Sequence, residues 1–145
     1  MRLSALLVLP LMLVAASAAQ DDADKADLKG LEGKWVMVSG EMKGEALPEK
    51  VVQNAKLTIV GDKHMVKVGE ETIVGTHRLD ATKKPKEFDA MDTEGPFKGK
   101  KALAIYKLDK DEFTICFAAP EKDRPKEFTS KSGSGMFVHV WKRAK

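Results

Sequence analysis

Hydrophobic and polar residues alternate along most of the chain between residues 34 and 143. A period of two residues is typical of β-strands that bury one face, and helical periodicity is scarce over the same range. Turn-forming residues divide the alternation into eight predicted strands, at residues 34–42, 56–60, 63–68, 71–79, 86–91, 101–108, 112–118 and 135–143. Many short strands in close succession favour a β-sandwich or an up-and-down barrel.

The register of three consecutive strands supports an antiparallel sheet. Two-residue turns at Gly61-Asp62 and Gly69-Glu70 bring the apolar residues of these strands onto one face, which comprises Leu57, Ile59, Val66, Val68, Ile73 and Leu79. A half-buried antiparallel sheet requires such a single register. The same register places His64 and His77 diagonally across one hairpin, on the apolar face.

A later hairpin, around Lys110-Asp111, pairs large side chains across its two strands. The predicted pairs are Leu108 with Phe113, Tyr106 with Ile115, and Ala104 with Phe117. The reverse face of this hairpin is also partly apolar, with Leu103, Ile105 and Cys116. We therefore expect both faces to be covered, with an N-terminal helix as the candidate cover of the reverse face.

Two short helices are predicted outside the strands. In residues 24–31, Leu28 and Leu31 are three positions apart, which is a helical spacing. Residues 48–54 place a proline in the first helical turn and an asparagine at the end, where both residue types are favoured.

The first 19 residues have the three parts of a secretory signal peptide. Arg2 supplies the positive charge, residues 3–16 form an apolar run, and residues 16–19 offer small side chains for cleavage. The run is shorter than the roughly 20 residues that span a bilayer, and an acidic stretch follows it. We therefore expect an exported protein, periplasmic or secreted, with no stable membrane insertion after cleavage. An uncleaved N-terminal anchor is the alternative.

Charge and cysteine content argue against two further classes. The chain has 25 Lys and Arg and 22 Asp and Glu, and the two signs are mixed along it. Such mixing does not form the one-sided basic surface of a nucleic-acid-binding protein, so the lysine clusters at 83–86 and 98–101 are interpreted as solvated loops. Cys116 is the only cysteine, which excludes an intramolecular disulfide, and its place in a strand indicates a buried thiol.

Residues at the two ends of the predicted sheet resemble a known motif. Gly33-Lys34-Trp35 opens the first strand, and Arg143 closes the last. This resembles the Gly-x-Trp of lipocalin-type barrels, in which the tryptophan packs across the barrel floor beneath an arginine from the final strand. A guanidinium can stack on the indole and bind free carbonyl groups. The resemblance implies that Trp35 and Arg143 form a structural pair at the barrel floor.

A longer pattern resembles one bacterial family. It consists of residues 31–35 (LEGKW), 104–109 (AIYKLD), 115–116 (IC), 124–128 (RPKEF) and 133–135 (GSG). These segments are similar to the planctomycete-type uncharacterised exported domain family, whose members are small lipocalin-like domains. The resemblance runs from about residue 28 to residue 143. It implies a β-barrel and brings no activity, because none is established for the family.

Catalytic motifs are scarce. The sequence has no nucleophile elbow, phosphate loop, dinucleotide fingerprint or His-Glu-x-x-His. His64, His77 and His139 could together hold zinc, but no carboxylate partner is evident and rim positions are commoner for such residues. A Ser/Thr-rich segment, residues 129–134, could line an anion or sugar site, although a structural turn is favoured. We therefore predict no cofactor, no metal and no enzymatic activity.

The sequence thus predicts an all-β fold, an antiparallel lipocalin-like (calycin-type) barrel of about eight strands with a short N-terminal helix. The chain divides into a signal peptide (1–19), a polar and partly helical segment (20–30) and the barrel domain (31–145).

A barrel of this size either holds one small ligand or fills with side chains. The first case predicts a non-catalytic module that binds a small apolar molecule; the second predicts a structural or interaction protein with a functional surface. A hydrolase or metal-dependent enzyme is the third possibility. The predicted ligand-binding residues, all facing inward, are Trp35, Met37, Tyr106, Phe113, Ile115 and Phe117.

Overall fold

A computed structural model describes the chain over residues 12–145, with side chains from residue 18 onward, so that most of the predicted signal peptide lies outside the described residues. Within this range the chain forms two helices, α1 (Met12–Leu31) and α2 (Glu49–Asn54), and nine strands. The strands are β1 (Gly33–Met42), β2 (Glu45–Ala46), β3 (Ala55–Val60), β4 (Lys63–Val68), β5 (Glu71–Asp80), β6 (Lys86–Glu94), β7 (Lys101–Asp109), β8 (Glu112–Ala118) and β9 (Met136–Arg143).

The sheet closes on itself. From β3 to β9 each strand pairs antiparallel with the next, and β1 pairs with both β3 and β9. The predicted antiparallel lipocalin-like barrel of eight strands is confirmed, and each predicted strand agrees with an observed one to within three residues at either end. The two-residue strand β2 pairs with the end of β1 and was not predicted, because two residues carry no alternation.

The predicted registers are also confirmed. Leu57 pairs with Val66, and Val66 pairs with Ile73. In the later hairpin, Tyr106 pairs with Ile115 as expected. Directly paired residues lie on one face of a sheet, so these pairs define the face that lines the barrel interior.

Helix α1 packs at the end of the barrel that holds the turns at residues 61–62, 81–85 and 110–111, here called the floor. Leu28 and Leu31 join the core, and the Asp24 carboxylate accepts a hydrogen bond of 2.7 Å from the Ala81 backbone N–H. The helix predicted at residues 24–31 is therefore the last part of a longer one. Among the described residues, no helix has both the length and the apolar character needed to cross a membrane.

The opposite end of the barrel, here called the mouth, holds the turn at residues 69–70, the loop at 95–100 and helix α2. Leu47 and Val52, on either side of the start of α2, pack against the core cluster. Leu47 lies directly over Gly40 of β1, where an added Cβ would clash with the leucine side chain. The mouth is thus partly covered on the side of β1 and β4.

The cover of the reverse face of the β7–β8 hairpin differs from expectation. It comes from the segment at residues 119–135, because α1 is engaged at the floor. The Cys116 thiol donates to the backbone carbonyls of Glu127 and Thr129, at 3.4 and 3.5 Å, and Pro125 of the same segment is fully buried. Backbone groups of the segment are also paired with the barrel, because the Glu121 N–H donates to the Lys101 carbonyl and the Gly44 N–H donates to the Ser130 carbonyl.

Arg124 fastens this segment to the barrel wall. Its Nη1 donates to the Ala104 carbonyl at 2.8 Å, and its Nη2 donates to the Asp89 carboxylate at 2.6 Å. At the other end of the segment, the Ser130 hydroxyl donates to Glu41 at 3.2 Å. The loop therefore lies along the outer wall of the barrel.

Candidate functional site

The barrel interior is the first candidate site, because all six predicted ligand-binding residues lie on its inner face. Five of them are at most 9% exposed: Trp35, Met37, Tyr106, Phe113 and Ile115. The sixth, Phe117, is half-buried near the mouth. The structure therefore brings the six together on one surface, but it buries most of them.

Aromatic rings occupy the centre of the barrel. The centroid of the Phe113 ring lies 5.9 Å from that of Trp35 and 6.2 Å from those of both Phe88 and Tyr106. Trp141, which is 2% exposed, pairs with Phe113 across β8 and β9. These separations fall in the range at which aromatic rings attract one another. The central layer is thus held by contacts between side chains.

Sequence reasoning missed Phe88 and Trp141. Phe88 stands in a strongly charged stretch and Trp141 precedes two basic residues, so neither segment resembles a core strand. The available signal was the alternation itself. Phe88 lies two residues from Ala90, and Trp141 lies two residues from Arg143, which places each pair on one face of its strand.

Trp35 and Arg143 meet at the barrel floor. The guanidinium carbon of Arg143 lies 4.3 Å from the centroid of the Trp35 ring, within the range of a cation–π contact. The same guanidinium donates hydrogen bonds to the carbonyls of Gly30 and Glu32, each at 2.8 Å. The end of α1 is thus joined to the last strand, since its free carbonyl groups are bound by Arg143.

Gly33 explains the glycine of the Gly-x-Trp pattern. Its φ of 125° lies in a region that side chains with a Cβ rarely adopt, and a Cβ there would stand 3.0 Å from Nη1 of Arg143. The residue two positions on, Trp35, donates its indole N–H to the Leu31 carbonyl at 2.8 Å. Glycine is therefore required where the chain turns from α1 into β1 beneath the arginine.

A second polar contact joins α1 to the floor. Asp27 accepts hydrogen bonds from the Tyr106 hydroxyl at 2.6 Å and from the Lys86 ammonium at 2.8 Å. Burial, followed by the hydrogen bond to Asp27, raises the pKa of Tyr106 well above its ordinary value. The hydroxyl consequently remains a donor, as the contact with the carboxylate requires.

His64 and His77 form a hydrogen-bonded pair on the inner wall. Their Nδ1 atoms are 3.1 Å apart, and Nε2 of His77 is 3.1 Å from the Gly61 carbonyl. Because a carbonyl only accepts, His77 must carry its proton on Nε2 and accept at Nδ1. His64 must then donate from Nδ1, which leaves its Nε2 as an unprotonated nitrogen.

Burial keeps both imidazoles neutral. His64 is 9% exposed and His77 is 3% exposed. Desolvation lowers the pKa of His64 to about 4; it lowers the pKa of His77 to about 4 as well, with a further contribution from the neighbouring His64. The ring of Phe88 stacks on His77 at 4.8 Å and completes the apolar enclosure.

The expectation that no carboxylate accompanies these histidines is wrong. Asp92 Oδ1 lies 3.6 Å from Nε2 of His64, and burial raises the pKa of this carboxyl group. Asp92 faces Gly75 across β5 and β6, next to a register shift in that pairing. A Cβ on Gly75 would come within 2.6 Å of His64 Nε2, so only glycine leaves room for the imidazole. The bulge was not visible in the alternation, because it adds one residue to a strand of otherwise regular pattern.

His139 lies on another part of the wall. It pairs with Ile115 of β8, and its ring meets those of Phe117 and Trp141 edge to face at 4.9 and 5.9 Å. Burial lowers the pKa of His139 to about 4. In the part of the chain with described side chains, no three histidine, cysteine, aspartate or glutamate residues are grouped to hold a metal ion.

We predict that zinc does not raise the melting temperature of this protein. Both nitrogens of His77 are engaged in hydrogen bonds, so Asp92 and one nitrogen of His64 are the remaining candidate ligands, fewer than the three that protein zinc sites use. Thermal melts with and without zinc, on the parent and on the double variant His64→Gln, His77→Gln, measure this directly. A zinc-dependent increase in the parent that disappears in the double variant would contradict the prediction.

The Ser/Thr-rich segment does not form an open site. The Ser134 hydroxyl donates to the Lys131 carbonyl within its own turn. Ser130 is 3% exposed and bound to Glu41, while the Thr129 carbonyl accepts from Cys116. These groups bind other parts of the chain, as the favoured interpretation of a structural turn requires.

The fold and its interior define a class: a closed eight-stranded antiparallel barrel of lipocalin-like architecture, with an arginine–tryptophan floor and a central layer of aromatic rings. Comparisons of this chain with protein-family models, with curated proteins and with solved structures gave no match. The similarity to the planctomycete-type exported family therefore stays a prediction.

Proposed function

We propose that this protein is an exported, non-catalytic interaction protein, in which the filled barrel is a rigid scaffold and the outer surface carries the function. The observation that supports this most directly is the occupied centre. Trp35, Tyr106, Phe113 and Trp141 are all at most 2% exposed and belong to one core cluster. A ligand in the centre of the barrel would have to displace aromatic side chains that are already packed against one another.

We propose no catalytic function because the buried titratable groups have unsuitable pKa values and are not accessible to a substrate. A general acid or base works best with a pKa near the operating pH and must reach its substrate. His64 and His77 have pKa values of about 4, are less than 10% exposed, and bind each other and a backbone carbonyl. Their geometry suits a structural role in the wall.

We include export in the proposal because cleavage of the predicted signal peptide would leave the contacts between α1 and the barrel floor intact. The polar contacts described above between α1 and the barrel come from Asp24, Asp27 and the carbonyls of Gly30 and Leu31. All of these residues follow the predicted cleavage positions at 18 or 19. A mature chain that begins at residue 19 or 20 would therefore keep these hydrogen bonds.

A second candidate function is the binding of a small apolar molecule at the mouth. Phe117 and Phe137 stack at 5.0 Å with an interplanar angle of 15°, and both are half-buried on the inner face. The edge-on ring of His139 borders them. Partly exposed aromatic rings that converge on an opening are typical of ligand sites.

Native mass spectrometry of protein purified from its own compartment distinguishes the two candidates. We expect the mass of a chain without its first 18 or 19 residues and without an adduct that denaturation releases. A retained molecule that is lost in Phe137→Ala but kept in Met65→Ala would favour the mouth site and overturn the filled-barrel proposal. Met65 is a matched control because it is 39% exposed on the outer face of β4, away from the interior.

A further inference from the structure

A groove on the outside of the floor combines a positive rim with an apolar base. It has a volume of about 470 Å³ and lies between the turn at residues 81–85, the ends of β6 and β7, and Phe128 of the segment 119–135. The sequence suggested only a solvated loop at residues 83–86. The structure adds Lys107 and Phe128, which are distant in sequence, to the lysines of that loop.

The rim carries more positive charge than its neighbours neutralise. Lys83, Lys84, Lys86 and Lys107 all border the groove. Lys86 pairs with Asp27 at 2.8 Å, whereas none of the ion pairs among residues with described side chains involves the other three lysines. The three other lysines therefore give the rim a positive charge that no ion pair among the described residues neutralises.

The base of the groove is apolar and fixed in place. Pro85, Leu108 and Phe128 line it, and the Lys107 ammonium stands 4.3 Å from the centroid of the Phe128 ring. That cation–π contact holds the lysine beside the aromatic surface. Leu108 belongs to the residues that pack against the core, so this part of the surface is supported from beneath.

We propose that this groove binds a small organic anion that has a carboxylate at one end and an apolar body. This inference rests on the interaction function proposed above, which leaves the class of ligand open. The carboxylate would lie among Lys83, Lys84 and Lys107, and the body would cover Leu108 and Phe128. The volume is that of a small-molecule site, at the lower end of the usual range of roughly 300–1,000 Å³. An inorganic anion would leave the apolar base exposed, and a neutral apolar molecule would remove water from lysines without giving them a partner.

The test uses three probes on the mature protein: 1-naphthoate, its neutral analogue 1-naphthalenemethanol, and an oligoglutamate peptide. Calorimetry gives the affinity, and backbone amide chemical shifts give the place of binding. We expect naphthoate to bind at residues 81–86 and 107–108, and the neutral analogue to bind about tenfold more weakly or not at all. Binding of naphthoate should weaken as salt is added.

Two charge-matched double variants separate the groove from general electrostatics. Lys83→Gln with Lys84→Gln should weaken naphthoate binding about tenfold. Lys98→Gln with Lys100→Gln removes the same charge from the loop at residues 95–100, at the mouth, and should leave the affinity unchanged. Melting temperatures of both variants verify that the fold is kept.

Several results would overturn the inference: no binding of naphthoate, equal loss in both double variants, or binding of the peptide alone. In these cases the filled-barrel proposal stands if no ligand enters the barrel. Chemical shift changes at Phe117, Phe137 and His139 in place of the groove would instead place the probe in the mouth and overturn both proposals.

Discussion

The free energy of unfolding should fall steeply as the pH is lowered from about 6.5 to about 4, because three histidines must stay neutral in the folded barrel. His64, His77 and His139 have pKa values of about 4 when folded and 6.5 as the ordinary value. The unfolded chain therefore binds more protons in this interval, and stability rises with pH. The stabilisation is complete above pH 6.5 and is lost as the pH falls towards 4.

The size of this effect follows from the depth of burial. At about 1.4 kcal/mol per pKa unit, a decrease from 6.5 to about 4 corresponds to roughly 3.5 kcal/mol for each of His64 and His77. Asp92 acts in the opposite direction, because its raised pKa favours protonation in the folded state. The Gly61 carbonyl and, to a smaller extent, the Asp62 carboxylate raise the pKa of His77, and the value of about 4 already includes both contributions.

Chemical denaturation at a series of pH values measures this prediction. The double variant His64→Gln, His77→Gln should be less stable than the parent at pH 7, since it loses a buried hydrogen-bonded pair, and its stability should depend much less on pH. His139→Gln should remove a smaller part of the dependence. A parent protein whose stability is constant between pH 6.5 and 4 would show that the imidazoles are not desolvated.

Replacement of Trp35 by alanine should destabilise the barrel by about 3–5 kcal/mol. The indole is 1% exposed, contacts the Phe113 ring, carries the stacked guanidinium of Arg143, and donates to the Leu31 carbonyl. Alanine would leave a cavity at the floor and an unbound carbonyl at the end of α1. Trp35→Phe should retain the ring contacts and cost less.

Val36→Ala is a matched control for this prediction. Val36 is the next residue of β1, faces outward and is 40% exposed, so its replacement should change the unfolding free energy by less than about 1 kcal/mol. Urea unfolding followed by circular dichroism gives both values. A loss below about 1 kcal/mol for Trp35→Ala would mean that the floor of the barrel is not organised around this residue.

The strands and their registers could be derived from the sequence because both depend on local information. Alternation assigns Leu57 and Val66 to one face, and the turn at residues 61–62 then determines that they pair. The same reasoning brought His64 close to His77, which are only 13 residues apart in the chain. The Trp35–Arg143 pair required the resemblance to lipocalin-type barrels, since nothing local joins residues so far apart.

The remainder depends on how the sheet closes, which is a non-local property. Closure and tilt of the strands decide that Phe88 of β6 meets Phe113 of β8, and a bulge decides that Asp92 reaches His64. The segment 119–135 covers the reverse face of the β7–β8 hairpin because Arg124 forms a hydrogen bond with Asp89 of β6. The groove outside the floor forms because the turn at residues 81–85 lies next to Phe128 of the segment 119–135. The sequence by itself determined the antiparallel strands, their registers and most of the inward residues, since side chains alternate with a period set by the backbone. Only the tertiary structure decided that aromatic side chains fill the centre of the barrel and that a charged groove lies outside its floor. Both features depend on which strands and loops come together when the sheet closes.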